Sequence, residues 1–397
     1  MIGDPASAGP AGPAGSAGPV ASSPAEPAGS VEPAAAGPAA PVAPALQYHA
    51  LSFTGTGTEY FKIWIVNLAL TVVTLGVYSA WAKVRRLQFF YRHTRLAGVG
   101  FDYHGNPIAL LKGRIVGLIL FGLYSSAGYV DWRLAIAIFA GLAIVMPWLL
   151  GRSLRFRFHN SSYRGLRFKF HGTNAQAYWV FLALPIFTTL TLLVLGPFWH
   201  NRLKRYQFSN AAFGTSRFQM QANPGDFYVT YVFAIFLFVC LFALVIVAFV
   251  VAGIVAAAAA APSATPGPPE VRFTPGFALL MAVAGALYAM AIVMVQSVVT
   301  ARIHNTCWNE ARTEHHRFES NVSAWKLFVI RYTNFLATVF TIGLFRPFAQ
   351  VRLARYLAET LMVFGTAEFD VYTAAESEDV TAVGEETAEM FDFDIAF

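Results

Sequence analysis

Charge is scarce in this chain of 397 residues: Asp, Glu, Lys and Arg make up 13%, against 56% hydrophobic residues and a mean hydropathy of +0.51. That balance excludes a water-soluble globule. Cysteine occurs twice, at Cys240 and Cys307, too rarely for a disulfide-stapled secreted domain, and both read as free thiols. The opening MIGDPASAGPAGPAG lacks the basic start and apolar run of a signal peptide, so the first long apolar segment, from Phe61, is expected to direct insertion itself. Signatures of chemistry are missing too. No His-Glu-x-x-His or Cys-x-x-Cys spacing offers a metal site, and there is no Gly-x-Ser-x-Gly elbow, Gly-x-x-x-x-Gly-Lys loop or Gly-x-Gly-x-x-Gly turn. Neither an enzyme, nor a cofactor, nor a bound metal is expected.

What is present divides into three parts. Residues 1–48 are an Ala/Pro/Gly-rich head that cannot bury enough apolar surface to offset backbone ordering, and disorder is expected there. Residues 49–366 form a polytopic membrane domain with interspersed cytoplasmic β elements, and 367–397 an acidic tail. Three acids lie in the first 45 residues and ten follow Thr366. The 28 basic residues, all between Lys62 and Arg355, therefore face nine acids in the middle, an excess of 19.

Seven apolar stretches read as membrane-embedded helices: 61–81, 113–130, 134–151, 178–199, 227–257, 276–300 and 325–345. Basic residues flank most connections and mark them as cytoplasmic. The exceptions are the turn around Asp131 and the linker near Arg272, which are placed outside. Segments two with three, and five with six, then become ordinary hairpins. Segments one, four and seven are left with cytoplasmic sequence at both ends: either they are re-entrant or interfacial, or one basic loop is external, or a boundary lies elsewhere, and the first of these satisfies every charge cluster together. Pro185, Gly196 and Pro197 in segment four agree with a break.

The chain also repeats itself. NLALTVVTLGVYSAWAKVR from Asn67 aligns without gaps on NFLATVFTIGLFRPFAQVR from Asn334, with eight of nineteen positions identical. LGPFWHNRLKRYQF from Leu195 is a third, degenerate copy, aligned by its Gly196 and by a shared Arg-x-Gln-Phe run. GVGFDYHG from Gly98 matches GLRFKFHG from Gly165. Period-two alternation in Leu154–Phe158 and Leu166–Phe170 predicts two strands joined by HNSSYRG. The expected fold is thus a polytopic α-helical membrane protein with internal repeats of broken or re-entrant helices and helical hairpins, plus a small cytoplasmic antiparallel β cap.

The run EYFKIWIVNLALTVVTLGVYSAWAKVRRLQFFYRHTRLAGVGFDYHG, with its later relatives, resembles the YjgN-like family of uncharacterised bacterial inner-membrane proteins over about residues 50–370. The resemblance implies a multi-pass protein of the bacterial inner (plasma) membrane. It brings no substrate, cofactor or catalytic residue.

Two groups of residues carry chemistry. Asn67, Thr71 and Thr74 share one helical stripe, which returns as Asn334, Thr338 and Thr341. The stripes read either as a ligand or transport path or as polar contacts between helices, with hydroxyls bonded to the preceding turn. Arg85, Arg86, Arg205 and Arg352 follow the breaks at the expected cytoplasmic surface, where they serve as topological anchors or meet anionic lipid headgroups. Trp199 is placed at the same level as an interface anchor, and Arg331 is expected to snorkel from inside segment seven. Membrane lipids are the expected partners, homo-oligomerisation is left open, and nucleic acid is not expected because the arginines are scattered over many loops. The resulting functional expectation is a transporter or channel-like protein for a small solute or lipid. The alternative is a non-enzymatic membrane scaffold or lipid-organising protein.

Overall fold

The structure, a computed structural model, describes residues 47–259 and 275–365. The head at 1–48, but for its last two residues, and the acidic tail at 367–397 lie outside them. Among the described residues four helices are long and apolar enough to cross a bilayer: α3 (Pro107–Val130), α4 (Trp132–His159), α8 (Pro224–Ala259) and α9 (Pro275–Asn309). They correspond to segments two, three, five and six. Asp131 ends α3 and caps α4, with its side chain accepting from Arg133 N at 2.9 Å.

The other three apolar segments are broken. Helix α1 (Gly57–Val73) turns into α2 (Ser79–His93), and α10 (Ala324–Phe340) into α11 (Arg346–Glu359). Between them in sequence, α5 (Asn174–Tyr178), a π-turn at Trp179–Ala183 and α6 (Leu184–Leu190) turn into α7 (Gly196–Ser209). Each first arm is 17 residues, about 25 Å at 1.5 Å per residue. Thr56, Thr173 and Ser323 cap these arms, the first two in full capping boxes.

The three turns share one backbone. Leu75 and Gly76, Leu192 and Leu193, and Ile342 and Gly343 all have positive φ. A backbone N–H reaches five residues back in each: Gly76 to Thr71 O, Leu193 to Thr188 O and Gly343 to Thr338 O, at 2.7, 2.8 and 2.7 Å. The break of the second hairpin is therefore at Leu192–Leu193. Gly196, aligned with Gly76 by residue type, instead opens α7 beside Pro197, a favoured first-turn residue.

The arms fold back on one another. Asn334 Nδ2 donates to Ala349 O at 3.2 Å across the last hairpin. In the second, the π-turn sends Leu184 N–H to Trp179 O, leaving Val180 O without its usual helical donor. Trp199 Nε1 on the returning arm takes that place at 2.8 Å, so the expected interface anchor is an internal latch. The first and last hairpins also meet: Tyr60 hydroxyl donates to Gln350 Oε1 at 3.0 Å and Phe61 stacks on Phe348. Arg331, expected to snorkel, donates to Thr300 Oγ1 on α9 at 3.0 Å.

Short strands follow each returning helix. β2 (Ser52–Phe53), β3 (Thr94–Leu96), β4 (Val99–Tyr103), β5 (Ser161–Tyr163), β6 (Leu166–Phe170), β7 (Ala211–Phe213) and β8 (Ser216–Arg217) form one antiparallel sheet in that order. A second runs β1 (Gln47–Ala50), β12 (Leu361–Gly365), β11 (His316–Ser320), β10 (Ala311–Arg312), β9 (Gln219–Met220). Two-residue turns at Ala97–Gly98 and Arg164–Gly165, both residues left-handed, join β3 to β4 and β5 to β6. Leu96, Tyr163, Phe213 and Val363 form the buried cluster of this layer, tied by Tyr163 hydroxyl to Leu96 O at 2.7 Å. One expected strand is absent. Leu154–Phe158 is the end of α4, because five alternating residues do not interrupt a helix already propagating from Trp132; the chain leaves it at Asn160, whose Nδ2 caps Phe156 O. The partner of Leu166–Phe170 is Ser161–Tyr163 instead.

Candidate functional site

The faces of α1 and α2 that look at each other, together with Arg114 in the first third of α3, line an open cavity of about 410 Å³. From α1 come Tyr60, Trp64, Asn67 and Thr71, spaced so that one helical stripe faces inward; from α2 come Ser79, Lys83 and Arg86 by the same rule. Three cations converge here, and the lining holds no carboxylate. Arg114 hydrogen-bonds Ser79 Oγ, which fixes the end of the α3 side chain against the hairpin. Burial pushes the Tyr60 phenol up to about 12, against the pull of Arg86 and Arg346, so it stays a neutral donor to Gln350.

Asn67 is the unusual member. It is 7% exposed, and its Oδ1 is buried without a partner. A buried acceptor left unpaired costs about 1–3 kcal/mol, which a ligand carrying a hydroxyl or ammonium donor would recover. Its counterpart Asn334 is equally buried but satisfied, donating to Ala349 O and accepting from Arg352 Nη1 at 3.4 Å.

Of the two polar stripes only Asn67 and Thr71 line this cavity, and Thr74 does not. Asn334, Thr338 and Thr341 are not among the residues of this cavity. The threonine hydroxyls bond to their own helices: Thr71 to Asn67 O, Thr74 to Leu70 O, Thr338 to Asn334 O and Thr341 to Ala337 O, all at 2.6–2.7 Å. Thr74 and Thr341 also accept the N–H four residues on, Tyr78 and Phe345, both at 2.9 Å. The same double use occurs at Thr191, which the sequence reading passed over.

The four arginines have different surroundings. Arg86 lines the cavity, whereas Arg85 lies over the Tyr78 ring and borders, with Lys62 and Arg92, a shallow groove of about 520 Å³ on another face of α2. Arg352 donates to Thr333 Oγ1 at 2.8 Å, and Arg205 lies half-buried on α7. The sequence singles out neither Lys83 nor Arg114, which stand there simply among the basic flanks. Their signal was spacing against Ser79 and Arg86 on α2, together with a tertiary approach by α3 that no local pattern carries.

The bacterial protein family of unknown function DUF898 matches residues 48–390 of the chain. The chain belongs to that family. Among individual relatives of this DUF898 protein, the inner membrane protein YjgN of Salmonella typhimurium is 29% identical over 151 residues, 37% of this chain and 38% of the relative. The YjgN proteins of Escherichia coli O157:H7 and strain K12 are 24% and 26% identical over 143 and 148 residues, each match covering 36% of both chains. The matched stretches thus span well under half the length of these curated relatives. No solved structure matches. With four apolar helices of spanning length and relatives named for the inner membrane, the DUF898 chain is a multi-pass inner-membrane protein.

Proposed function

We propose that the protein is a non-enzymatic transporter-class protein that receives an oxyanion, the phosphate of an anionic lipid headgroup or of a small solute, in the cavity between α1, α2 and α3. The carrying observation is the orphan Asn67 Oδ1 in a residue that lines the same cavity as Lys83, Arg86 and Arg114. Cations recognise phosphate, and Asn67 recognises a hydroxyl or ammonium group next to it. Each cation contributes about 1 kcal/mol toward an anion held near a membrane surface. Substrate charge and a neighbouring donor together distinguish such a ligand from bulk chloride.

In this reading the three hairpins are internal repeats that enter the bilayer from the cytoplasmic side and return to it. Arms of about 25 Å fall short of a hydrocarbon core of about 30 Å. Their tips are apolar and open: Leu75 and Ile342 are 95% exposed and Leu192 is 87% exposed. Every basic loop then stays in the cytoplasm, and the two sheets cap that side. A second reading, a lipid-organising scaffold, is favoured by the back-bonded hydroxyls of Thr71, Thr74, Thr338 and Thr341, which form no continuous polar path.

Proteoliposomes of full-length protein separate the two. Trapped inorganic phosphate, glycerol 3-phosphate and fluorescent phosphatidylglycerol serve as probes, with uncharged vesicle lipid as background. Flux of at least one probe, reduced about tenfold in Asn67→Ala and Arg86→Gln, is expected, while Asn334→Ala alters stability and leaves the flux of folded protein in place. Saturable binding of phosphatidylglycerol without flux would establish the scaffold, and background-level flux and binding for all three probes would refute the site.

A further inference from the structure

A second cavity, of about 200 Å³, lies between the sheet and the C-terminal ends of α2, α4, α7 and α9. Its character is opposite to the first. Seven of its eleven lining residues are aromatic, among them Phe101 and Phe168, whose rings stack at 6.3 Å, and Phe208 and Trp308, which meet edge to face at 5.2 Å. An apolar cavity of about 150 Å³ holds one benzene ring, so this space admits one or two fused rings. Walls of ring faces and edges favour an aromatic guest over a flexible chain.

Three polar side chains interrupt the aromatic wall: Ser161, whose hydroxyl bonds Arg157 O and the Tyr91 hydroxyl, Arg157 from the end of α4, and Gln207 from α7. Gln207 is 2% exposed, and its Nε2 is buried without a partner. The comparison with Gln88 is informative, because both occupy the third place of an Arg-x-Gln-Phe run at the same point of a returning arm. Gln88 Nε2 donates to Tyr103 O at 3.3 Å and closes onto the strand that follows. Gln207 makes no such bond. A guanidinium and an amide N–H at one cavity are donors suited to a carboxylate, which accepts several hydrogen bonds at once.

We infer that this cavity is a binding site for a small aromatic carboxylate, its ring held by Phe101, Phe168, Phe208 and Trp308 and its carboxylate by Gln207 Nε2 and Arg157. The site is separate from the oxyanion cavity of α1 and α2 and does not depend on it. It joins residues from four helices and four strands, so an occupant would tie the helical layer to the sheet and raise resistance to unfolding.

The test titrates full-length protein in nanodiscs with 2-naphthoate, by calorimetry against empty nanodiscs and by thermal unfolding. Saturable binding and a raised unfolding temperature are expected. The uncharged 2-naphthamide is expected to bind about tenfold more weakly, and Gln207→Leu, which removes the orphan donor while keeping bulk, to weaken naphthoate by about tenfold or more. Absence of saturable naphthoate binding, or wild-type affinity in folded Gln207→Leu, would overturn the assignment. Should Gln207→Leu not fold, Arg157→Gln takes its place under the same criterion.

Discussion

Thr74, Thr191 and Thr341 are the capping residues immediately after each first arm, where each hydroxyl donates one turn back and accepts from the amide four residues on. This contact replaces a helical hydrogen bond that the left-handed turn interrupts. Thr341→Val keeps the shape and deletes both bonds, so a loss of about 1 kcal/mol in unfolding free energy is expected in nanodiscs, with Thr189→Val, an exposed position whose hydroxyl bonds one turn back to Pro185 O, as the comparison. Loss no greater than that of the comparison would remove the role. The Arg92–Asp102 pair, 3.0 Å apart, makes a pH prediction at the same scale. Partial burial of Asp102 raises its pKa, but the Arg92 guanidinium and the Tyr103 amide outweigh this and hold the carboxyl below its ordinary value. A folded pKa below the unfolded one stabilises above about pH 4 and is lost as pH falls further. Wild type is therefore expected to lose stability on acidification below about pH 4 more steeply than Asp102→Asn, checked by thermal unfolding at successive pH values. Single residues were unevenly legible in the sequence. The stripe Asn67, Thr71, Thr74 was visible from its spacing, and its back-bonding is a local property. The unsatisfied state of Asn67 was not, because it depends on what the second arm and α3 bring near it.

The hairpin is the recurring element, and its turn sets a conformational requirement that residue type meets only in part. Gly76 and Gly343 have φ near +90°, with nothing within 4 Å of where a Cβ would stand. An alanine there meets no steric neighbour and is penalised by backbone conformation alone, about 1–2 kcal/mol. Gly76→Ala and Gly343→Ala are each expected to lower unfolding free energy by that amount, whereas Leu193→Gly at the matching place of the second hairpin raises it. Unchanged stability in all three would contradict a shared turn. The second hairpin was misaligned in the sequence for a physical reason: glycine marks the left-handed residue in two hairpins, but leucine occupies it in the third, and Gly196 draws the alignment to the helix start beyond it. The strand expected at Leu154–Phe158 failed likewise, since a short alternation is outweighed by the helix feeding into it. By contrast β4 and β6 were legible, because Gly98 and Gly165 punctuate them and their buried ends Tyr103 and Phe170 keep the period.

For the whole molecule, two long helical hairpins of membrane-spanning length and three short, broken ones of 17-residue first arms alternate along the chain. Hydropathy and basic flanks carried most of this plan, since the cost of unpaired backbone in hydrocarbon leaves few alternatives to helices. The two cavities were not legible, because each joins elements distant in sequence. The proposed function rests on sidedness: if the short hairpins turn back within the bilayer, the strands on both sides of the second hairpin lie in the cytoplasm with the basic cavity mouth. Single cysteines at the exposed positions Arg133, Arg167 and Arg217, in a Cys240→Ser, Cys307→Ala background, report this directly. With a membrane-impermeant thiol reagent applied to intact cells from the periplasm, Arg133→Cys is expected to react while Arg167→Cys and Arg217→Cys stay unlabelled until the inner membrane is opened. Labelling of either of those two in intact cells would mean that the second hairpin crosses the bilayer, contradicting the account.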